Sequence, residues 1–278
     1  MTSLEQSYEY CVGIARKRAK NFYYSFLVLP KSKRLAMCAV YAFMRECDDR
    51  SDEAGATETA LVDWREQMDQ ALNGDSLAHP LWPAFADTVN RFCIPRVYLY
   101  DMIDGVTGDL SFTQPKNFDE LYRYCYRVAG VVGLTITHIF GFEKPETLAM
   151  AEKCGIAFQL TNIIRDVGED SQLGRCYLPL DLMAQYSVEA RDTTGHQLNS
   201  PLRSLLEDLG RRARGYYDYS RPMIAQVQPD SQSSLWALIE IYSRLFQRIE
   251  TSGFEVLAKR HRLPTSEKVW IVALALLR

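Results

Sequence analysis

The residues best suited to chemistry form two acidic clusters within otherwise apolar stretches of the sequence. The first cluster spans 48–52 and carries Asp48, Asp49 and Asp52. Residues four apart share one face of a helix, with Cβ atoms about 5–6 Å apart, so the carboxylates of Asp48 and Asp52 repel each other unless a cation lies between them. Mg²⁺ prefers such hard oxygen ligands and usually keeps water and phosphate oxygens in its shell. The first cluster therefore predicts a magnesium site.

The second cluster contains Asn162, Asp166 and Asp170 at intervals of four residues. On a helix this spacing forms one polar stripe, while the apolar residues at 163, 164 and 167 fall on other faces. Burying three oxygen-bearing side chains beside apolar residues is costly without a bound cation. Either cluster alone is compatible with a solvated helix end, but two in one helical chain favour a pair of facing metal sites.

Two facing carboxylate clusters suit the ionisation of a diphosphate ester. Magnesium ions held between them bind diphosphate oxygens and neutralise the leaving group as the carbon–oxygen bond breaks. An apolar cavity formed by helices then shields the carbocation from water.

The elements that must position these clusters are helices. Alternating strand patterns are nearly absent, and no internal repeat is visible. Strong helix formers fill five segments, 31–53, 57–73, 145–167, 201–221 and 233–260. The sequence predicts an all-α fold of about ten to twelve helices. The two most loop-like stretches, 73–83 and 187–200, lack the length and composition of a domain linker, so 1–278 is expected to form a single domain.

Composition narrows the choice of partners and compartment. Apolar residues make up 47% of the chain, and 32 basic against 35 acidic residues give a net charge of −3, which disfavours nucleic acid as a partner. The seven cysteines, never spaced as CxxC, are typical of a reduced intracellular protein. No secretory signal is visible, and the apolar run 269–277 is too short to cross a bilayer. We expect a cytoplasmic protein, with peripheral association at the inner face of the membrane left open.

The chain resembles the squalene/phytoene synthase family, whose members join two prenyl diphosphates head to head. The matching segments are NFYYSFLVLP at 21–30, YAFMRECDDRSD at 41–52, YCYRVAGVVG at 124–133, QLTNIIRDVGED at 159–170 and GRCYLP at 174–179. The resemblance covers nearly the whole chain. It implies an isoprenoid synthase-type helical bundle around a central apolar cavity, in an enzyme of the prenyltransferase class.

The resemblance also implies a role for each matching residue. The metal ligands are Asp48, Asp49, Asp52, Asn162, Asp166 and Asp170. The catalytic residues are Tyr41, Arg45, Tyr126 and Arg165. The substrate-binding residues are Arg18, Lys20, Phe22, Phe26, Gln159, Arg175 and Tyr177. The choice between Tyr124 and Tyr126 as the catalytic phenol is a near tie, and Tyr126 is preferred.

The first cluster departs from the family pattern at two positions. Arg50 and Ser51 stand where family members more often carry apolar residues. The magnesium stoichiometry of the first cluster is therefore left open. The pattern DDxxD in 48–52 also admits a second hypothesis, head-to-tail chain elongation or terpene cyclisation, and a third is a non-catalytic helical assembly factor. Di-iron bundles are disfavoured, because the histidines at 79, 138, 196 and 261 form no Glu-x-x-His pair.

The expected reaction condenses two farnesyl diphosphates through a cyclopropylcarbinyl diphosphate to presqualene diphosphate or squalene. A phytoene synthase using two geranylgeranyl diphosphates is the alternative, so the hopanoid and carotenoid pathways both stay open. The expected cofactor is Mg²⁺, with NADPH added if the product is squalene. The sequence does not determine the oligomeric state.

Overall fold

The described part of the chain folds into helices joined by short loops, and its β-structure amounts to one isolated bridge between Phe142 and Val227. The computed structural model describes residues 2–19, 22–52, 58–195 and 197–278. In chain order the helices are α1 (Leu4–Arg18), α2 (Phe22–Phe26), α3 (Lys31–Asp52), α4 (Glu58–Leu72), α5 (Trp82–Arg91), α6 (Arg96–Leu110), α7 (Phe118–Cys125), a π-helix (Tyr126–Gly130), α8 (Val131–Phe140), α9 (Glu146–Gln172), α10 (Leu180–Tyr186), α11 (Ala190–Thr194), α12 (Ser200–Ser220), a 3₁₀-helix (Arg221–Ala225), α13 (Pro229–Thr251) and α14 (Thr265–Leu276).

The expected all-α fold is confirmed, although the described ranges hold more α-helices than the ten to twelve predicted. The extra helices are short ones such as α2 and α11, whose few residues carry no readable apolar period. In the part of the chain that the structure describes, no helix is long and apolar enough to cross a membrane.

Helix boundaries follow from side chains that satisfy the free backbone groups of the first turn. At the start of α1, Ser3 accepts a hydrogen bond from the backbone N–H of Gln6, and the Gln6 side chain accepts one from the backbone N–H of Ser3. Asn117 and Asn199 cap α7 and α12 in the same manner, with one side-chain bond each.

Helix α9 lies at the centre of the fold and carries the second acidic cluster. It packs against α8, α12, α13 and the π-helix. Its apolar residues Ile163, Ile164 and Val167 are buried, as the sequence pattern predicts. Burial of this face fixes the direction of the polar stripe that follows 162, 166 and 170.

The π-helix is held between α6 and α9 by two glycines. A Cβ atom added at Gly155 would lie 2.2 Å from the carbonyl oxygen of Ala129, and one added at Gly105 would lie 3.0 Å from the Cβ atom of Arg127. Only glycine permits this close backbone approach, which brings the π-helix against the helix of the second cluster.

The last long helix is shorter than predicted. Helix-forming residues continue to 260, but α13 ends at Thr251. Gly253 and Phe254 follow with φ angles of +66° and +60°, in the left-handed region that ends a helix. The segment 252–264 therefore crosses back over the bundle before α14 begins.

Candidate active site

Two adjoining cavities occupy the interior of the bundle. The larger, about 230 Å³, is lined by residues of α3, α6, α7, α8, α9 and the π-helix, including Asp48. The other, about 170 Å³, reaches α2, the 3₁₀-helix and α13 and is mostly apolar. The residues that line both cavities are Met44, Val128, Val132 and Gln159. These shared walls make the cavities neighbours, so a ligand with a long apolar chain has room beside the first acidic cluster.

The first cluster lies at the last turns of α3 and is partly exposed. Arg18 Nη2 donates a hydrogen bond of 2.8 Å to Asp49 Oδ1, and Arg45 also bonds that oxygen. Arg45 Nη1 lies 3.9 Å from Asp48 Oδ2. The side chains of Asp48 and Asp49 are 46% and 38% exposed. Two predicted metal ligands of this cluster, Asp48 and Asp49, thus lie beside Arg45, a predicted catalytic residue, and Asp49 also pairs with Arg18, a predicted substrate-binding residue.

The second cluster is more deeply buried and is also paired with two arginines. Arg165 Nε donates a hydrogen bond of 2.8 Å to Asp166 Oδ1. Arg260 Nε lies 3.0 Å from the same oxygen, and Arg260 Nη1 lies 2.7 Å from Glu169 Oε2. The side chain of Asp166 is only 14% exposed. The segment 252–264 therefore contributes a cation to this cluster from the C-terminal part of the chain.

The charges of the second cluster leave one carboxyl without enough compensation. Burial and the neighbouring charges of Asp166 and Glu169 raise the pKa of Asp170 to about 6. The buried Oδ1 atom of Asn162 has no hydrogen-bond partner among the described residues. A carboxyl group that resists ionisation and an unpartnered amide oxygen are the groups that a divalent cation would satisfy.

The donor set fits magnesium that arrives with its substrate. No group of three or more Asp, Glu, His or Cys residues in the described ranges could hold a metal ion by itself. Mg²⁺ commonly uses one or two carboxylates and completes its shell with water and substrate phosphates. The residues therefore fit metal bound together with a diphosphate, and not a closed protein cage.

Tyrosines from two helices connect the clusters. Tyr242 on α13 is buried, and its pKa rises to about 12 because of burial, an effect that Arg165 and Asn162 oppose. Tyr41 on α3 is close enough to raise the pKa of Tyr242 further. Burial also raises the pKa of Tyr41 itself. The face of α3 that carries Tyr41 and Arg45 and the polar stripe of α9 are thus brought together around Tyr242.

The two candidate tyrosines differ in their position relative to the cavities. Tyr124 lines the larger cavity, and its ring stacks on Tyr177 at a centroid distance of 4.8 Å. Tyr126 lines neither cavity, and its hydroxyl donates a bond of 3.1 Å to Asp101 on α6. Residues two apart point to opposite sides of a helix, so only one of the pair can face the interior. Tyr126 therefore lies away from both cavities, and its role as the catalytic phenol stays a prediction.

The predicted substrate-binding residues divide into those at the cavities and those away from them. Phe22 lines the smaller cavity beside Tyr242, and Gln159 lines both cavities. Phe26 was expected in the channel wall, but it is buried in the core, 2% exposed, and lines neither cavity. Its place at the end of short α2 turns its ring inward beside Tyr23.

The remaining candidates lie at the edge of the site or outside the described residues. Arg175 follows α9, and its backbone N–H bonds the carbonyl oxygen of Asp170 at 2.9 Å. Tyr177 is buried, and its ring centroid lies 5.0 Å from that of Phe112. Tyr177 and Tyr124 both line a further pocket at this edge of the site. Lys20 and the side chain of Asp52 lie outside the described residues.

Two residues that belong to the site were missed by sequence reasoning. Tyr242 sits in a helical stretch of ordinary apolar composition, and nothing in its neighbours marks it. Arg260 lies in 259–262, Lys-Arg-His-Arg, a basic run whose usual interpretation is a solvated surface. The basic run was the available signal, but its position over α9 depends on where α13 ends.

Comparisons with known proteins show the family to which the chain belongs. The family model described as squalene/phytoene synthase matches residues 15–268. A phytoene synthase from Arthrospira platensis is 35% identical, over 98% of this chain and 93% of the relative. A phytoene synthase from Mycobacterium tuberculosis is 37% identical, over 99% of this chain and 92% of the relative.

Solved structures show the same fold. A dehydrosqualene synthase in complex with ligand superposes with a TM-score of 0.91 at 31% identity, covering 98% of this chain and 96% of that chain. The squalene synthase HpnC from Alicyclobacillus acidocaldarius superposes with a TM-score of 0.84 at 25% identity, covering 90% of this chain and 95% of that chain.

Proposed function

This chain belongs to the squalene/phytoene synthase family of prenyltransferases, and we propose that it joins two prenyl diphosphates head to head through a cyclopropylcarbinyl diphosphate. One observation carries the proposal. Two acidic clusters, each paired with two arginines, lie beside two neighbouring cavities, of which the smaller is mostly apolar. We further propose that 1–278 act as one domain, which the uninterrupted family match supports.

We assign the metal-binding role to the acidic clusters. Asp48, Asp49 and the residue at 52 would hold Mg²⁺ on one side, and the stripe of 162, 166 and 170 on the other. When bound, Mg²⁺ supplies positive charge that stabilises the departing diphosphate. Arg18, Arg45, Arg165 and Arg260 carry donors in planar forks, the geometry suited to diphosphate oxygens.

The smaller, mostly apolar cavity would exclude water from the allylic carbocation that ionisation creates. Aromatic rings there present electron-rich faces, which attract a cation most strongly where water is absent. The ring centroid of Phe22 lies 5.5 Å from that of Tyr242, and the ring of Phe158 stacks on Tyr242 at a centroid distance of 4.1 Å. The three rings therefore form one wall. We assign this wall to stabilisation of the cation while the double bond of the second prenyl group attacks it.

The length of the prenyl chain is the finer part of the proposal. Curated relatives from Arthrospira platensis and Mycobacterium tuberculosis are named phytoene synthase, which favours two geranylgeranyl diphosphates. The similarity to a dehydrosqualene synthase keeps two farnesyl diphosphates as the second candidate. We include no NADPH step, because neither the family match nor these names point to a reductant.

Product analysis decides between the two substrates. Purified protein is incubated with Mg²⁺ and either geranylgeranyl or farnesyl diphosphate, and the extracted products are identified by mass spectrometry. We expect a C40 product with the higher kcat/KM for geranylgeranyl diphosphate. A C30 product with the higher kcat/KM for farnesyl diphosphate would reverse the preference. Simple hydrolysis or head-to-tail products from both substrates would overturn the proposed function.

A further inference from the structure

Arg50 is a cation inside the first acidic cluster, yet it contacts neither of the described carboxylates there. Its Nη1 atom donates hydrogen bonds to Glu46, 2.6 Å to the carbonyl oxygen and 2.9 Å to Oε2. The guanidinium carbon lies 3.6 Å from the ring centroid of Trp64 on α4. Arg50 therefore makes a charged hydrogen-bonded pair and a cation–π contact at the same time.

The partners of Arg50 are themselves held by other elements. Tyr10 on α1 donates a hydrogen bond of 2.6 Å to Glu46 Oε1, and His79 Nε2 lies 3.7 Å from Glu46 Oε2. Trp64 is fully buried, and its ring packs on that of Trp82 with the centroids 4.3 Å apart. We call the group formed by Tyr10, Glu46, Arg50, Trp64 and His79 the Arg50 anchor.

The anchor and the metal-binding face lie on opposite sides of α3. Glu46 and Arg50 are four residues apart and share one face, whereas Asp48 is offset from each by two residues, or about 200° around the helix. Consistent with this, Asp48 lines the larger cavity, while Arg50 covers Trp64. The guanidinium of Arg50 thus interacts with Glu46 and Trp64 and not with the described carboxylates of the cluster.

The cluster needs such an anchor because of where it lies. It occupies the last described turns of α3, so its orientation depends on the contacts that this part of the helix makes with other elements. Arg50 links the Glu46 carbonyl and side chain to Trp64 of α4, and Tyr10 links the Glu46 side chain to α1. These contacts restrict the rotation of α3 that would swing Asp48 away from the cavity.

We propose that Arg50 is a positioning residue for the reaction: through Glu46 and Trp64 it fixes the end of α3 so that Asp48 faces the metal–diphosphate complex. This inference rests on the proposed function. It assigns to Arg50 an effect on metal affinity with no contact to the metal or to the diphosphate. Groups that orient metal ligands typically change metal affinity by about 10–100-fold when they are removed.

The test measures metal affinity directly. Mn²⁺, a paramagnetic substitute for Mg²⁺, is titrated into the protein with inorganic diphosphate present, and free Mn²⁺ is followed by electron paramagnetic resonance. We expect Arg50→Gln to weaken Mn²⁺ binding about tenfold, with kcat recovered at saturating Mg²⁺. Arg50→Lys keeps the charge but not the planar stack on Trp64, so it should restore part of the affinity.

Arg65→Gln is the matched control. Arg65 also pairs with a carboxylate, Asp104 at 2.8 Å, and also covers a ring, Tyr100 at 4.5 Å, but it lies on α4 away from both clusters. We expect Arg65→Gln to lower the melting temperature without changing Mn²⁺ affinity. Glu46→Gln, which weakens the same anchor with a smaller change, should weaken Mn²⁺ binding in the same direction as Arg50→Gln.

Three results would overturn the inference. In the first, Arg50→Gln and Glu46→Gln lower the melting temperature but bind Mn²⁺ as tightly as the wild type. In the second, Arg50→Gln loses affinity for inorganic diphosphate in the absence of metal, which would make Arg50 a direct anion ligand. In the third, Asp48→Asn also binds Mn²⁺ normally, and then the proposed metal site itself fails together with the role of Arg50.

Discussion

The two acidic clusters use the same chemistry in different surroundings. The first lies at the exposed end of α3, with the Asp48 and Asp49 side chains 46% and 38% exposed. The second lies within α9, with the Asp166 side chain 14% exposed. Water screens the charges of the first cluster, whereas the second must be compensated by protein groups. We therefore expect the first cluster to depend on contacts that fix the end of α3, and the second to depend on nearby positive charges that compensate its carboxylates.

In each cluster, an arginine from a second element joins an arginine of the cluster's own helix. Arg18 of α1 joins Arg45 at Asp49, and Arg260 of the segment 252–264 joins Arg165 at Asp166. An arginine brought from elsewhere in the chain ties the carboxylate to the tertiary fold. If the clusters differ in burial but serve one metal–diphosphate site, substitutions in them should have effects of different size that depend on each other.

The largest effect is expected at Asp166. Asp166→Asn keeps the shape of the side chain but removes the charge that we propose holds Mg²⁺, and we expect kcat/KM to fall on the order of 1000-fold. Asp48→Asn should lose about 100-fold, because its better-solvated site is compensated by water more readily. Steady-state kinetics at saturating Mg²⁺, with circular dichroism to verify folding, measures both. Near-wild-type turnover in either variant would remove that residue from the metal site.

The next effect concerns the arginines of the first cluster. Arg45→Ala should raise KM for the prenyl diphosphate and lower the rate, a combined loss of about 2 kcal/mol in transition-state stabilisation. Arg45→Lys should recover only part of this loss, because an ammonium group cannot form the planar fork. Substrate titration of both variants separates the possibilities. Complete recovery by lysine would mean that the site requires charge alone.

A smaller effect should distinguish the two tyrosines. Tyr124→Phe removes a hydroxyl beside the larger cavity, and we expect kcat to fall about tenfold with little change in KM. Tyr126→Phe should change kcat less than about twofold, since its hydroxyl bonds Asp101 outside the cavities. Rapid-quench kinetics of both variants supplies the comparison. The opposite ranking would restore Tyr126 as the catalytic phenol.

The smallest effect is on stability and follows from the raised pKa of Asp170. Its pKa rises from 3.8 to about 6 on folding, so the folded protein holds this proton more tightly than the unfolded chain does. The free energy of unfolding in metal-free buffer therefore falls as pH rises from about 4 to about 6. Asp170→Asn, which has no proton to lose, should gain about 1 kcal/mol at about pH 8 after allowance for solvent screening, and nothing at about pH 4.

Urea denaturation of the wild type and Asp170→Asn in EDTA, at both pH values, measures this difference. The equivalent substitution in the exposed cluster, Asp49→Asn, is the control and should not stabilise the protein, because its carboxylate is already paired with Arg18 and Arg45. An equal gain for both variants would show that burial does not distinguish the clusters.

Much of the fold and of both clusters could be predicted from sequence because helical periodicity is local. The stripe of 162, 166 and 170 lies across the helix from buried Ile164, as spacing alone requires. The position of Tyr124 could not be predicted in this way. Spacing shows that Tyr124 and Tyr126 point to opposite sides, but which side meets the cavity depends on the π-helix and its packing against Gly105 and Gly155.

Arg260 shows the second limit of sequence reasoning. Its residue type predicts a cation, and the helix-forming residues before it predict a continued α13. The left-handed conformations of Gly253 and Phe254 end that helix and direct the segment over α9. Arg50 shows the same limit within a recognised motif, since spacing places it across the helix from Asp48 but only the tertiary structure shows its contact with Trp64.

The central claim is that the two clusters serve one metal–diphosphate site, and the double substitution Asp48→Asn with Asp166→Asn tests it most directly. Product formation from radiolabelled prenyl diphosphate is measured for the wild type, both single variants and the double variant. Residues that act as a unit give strongly non-additive losses, so the double variant should lose no more activity than Asp166→Asn alone. If the two losses multiply instead, the clusters act independently and the account of a shared site is contradicted.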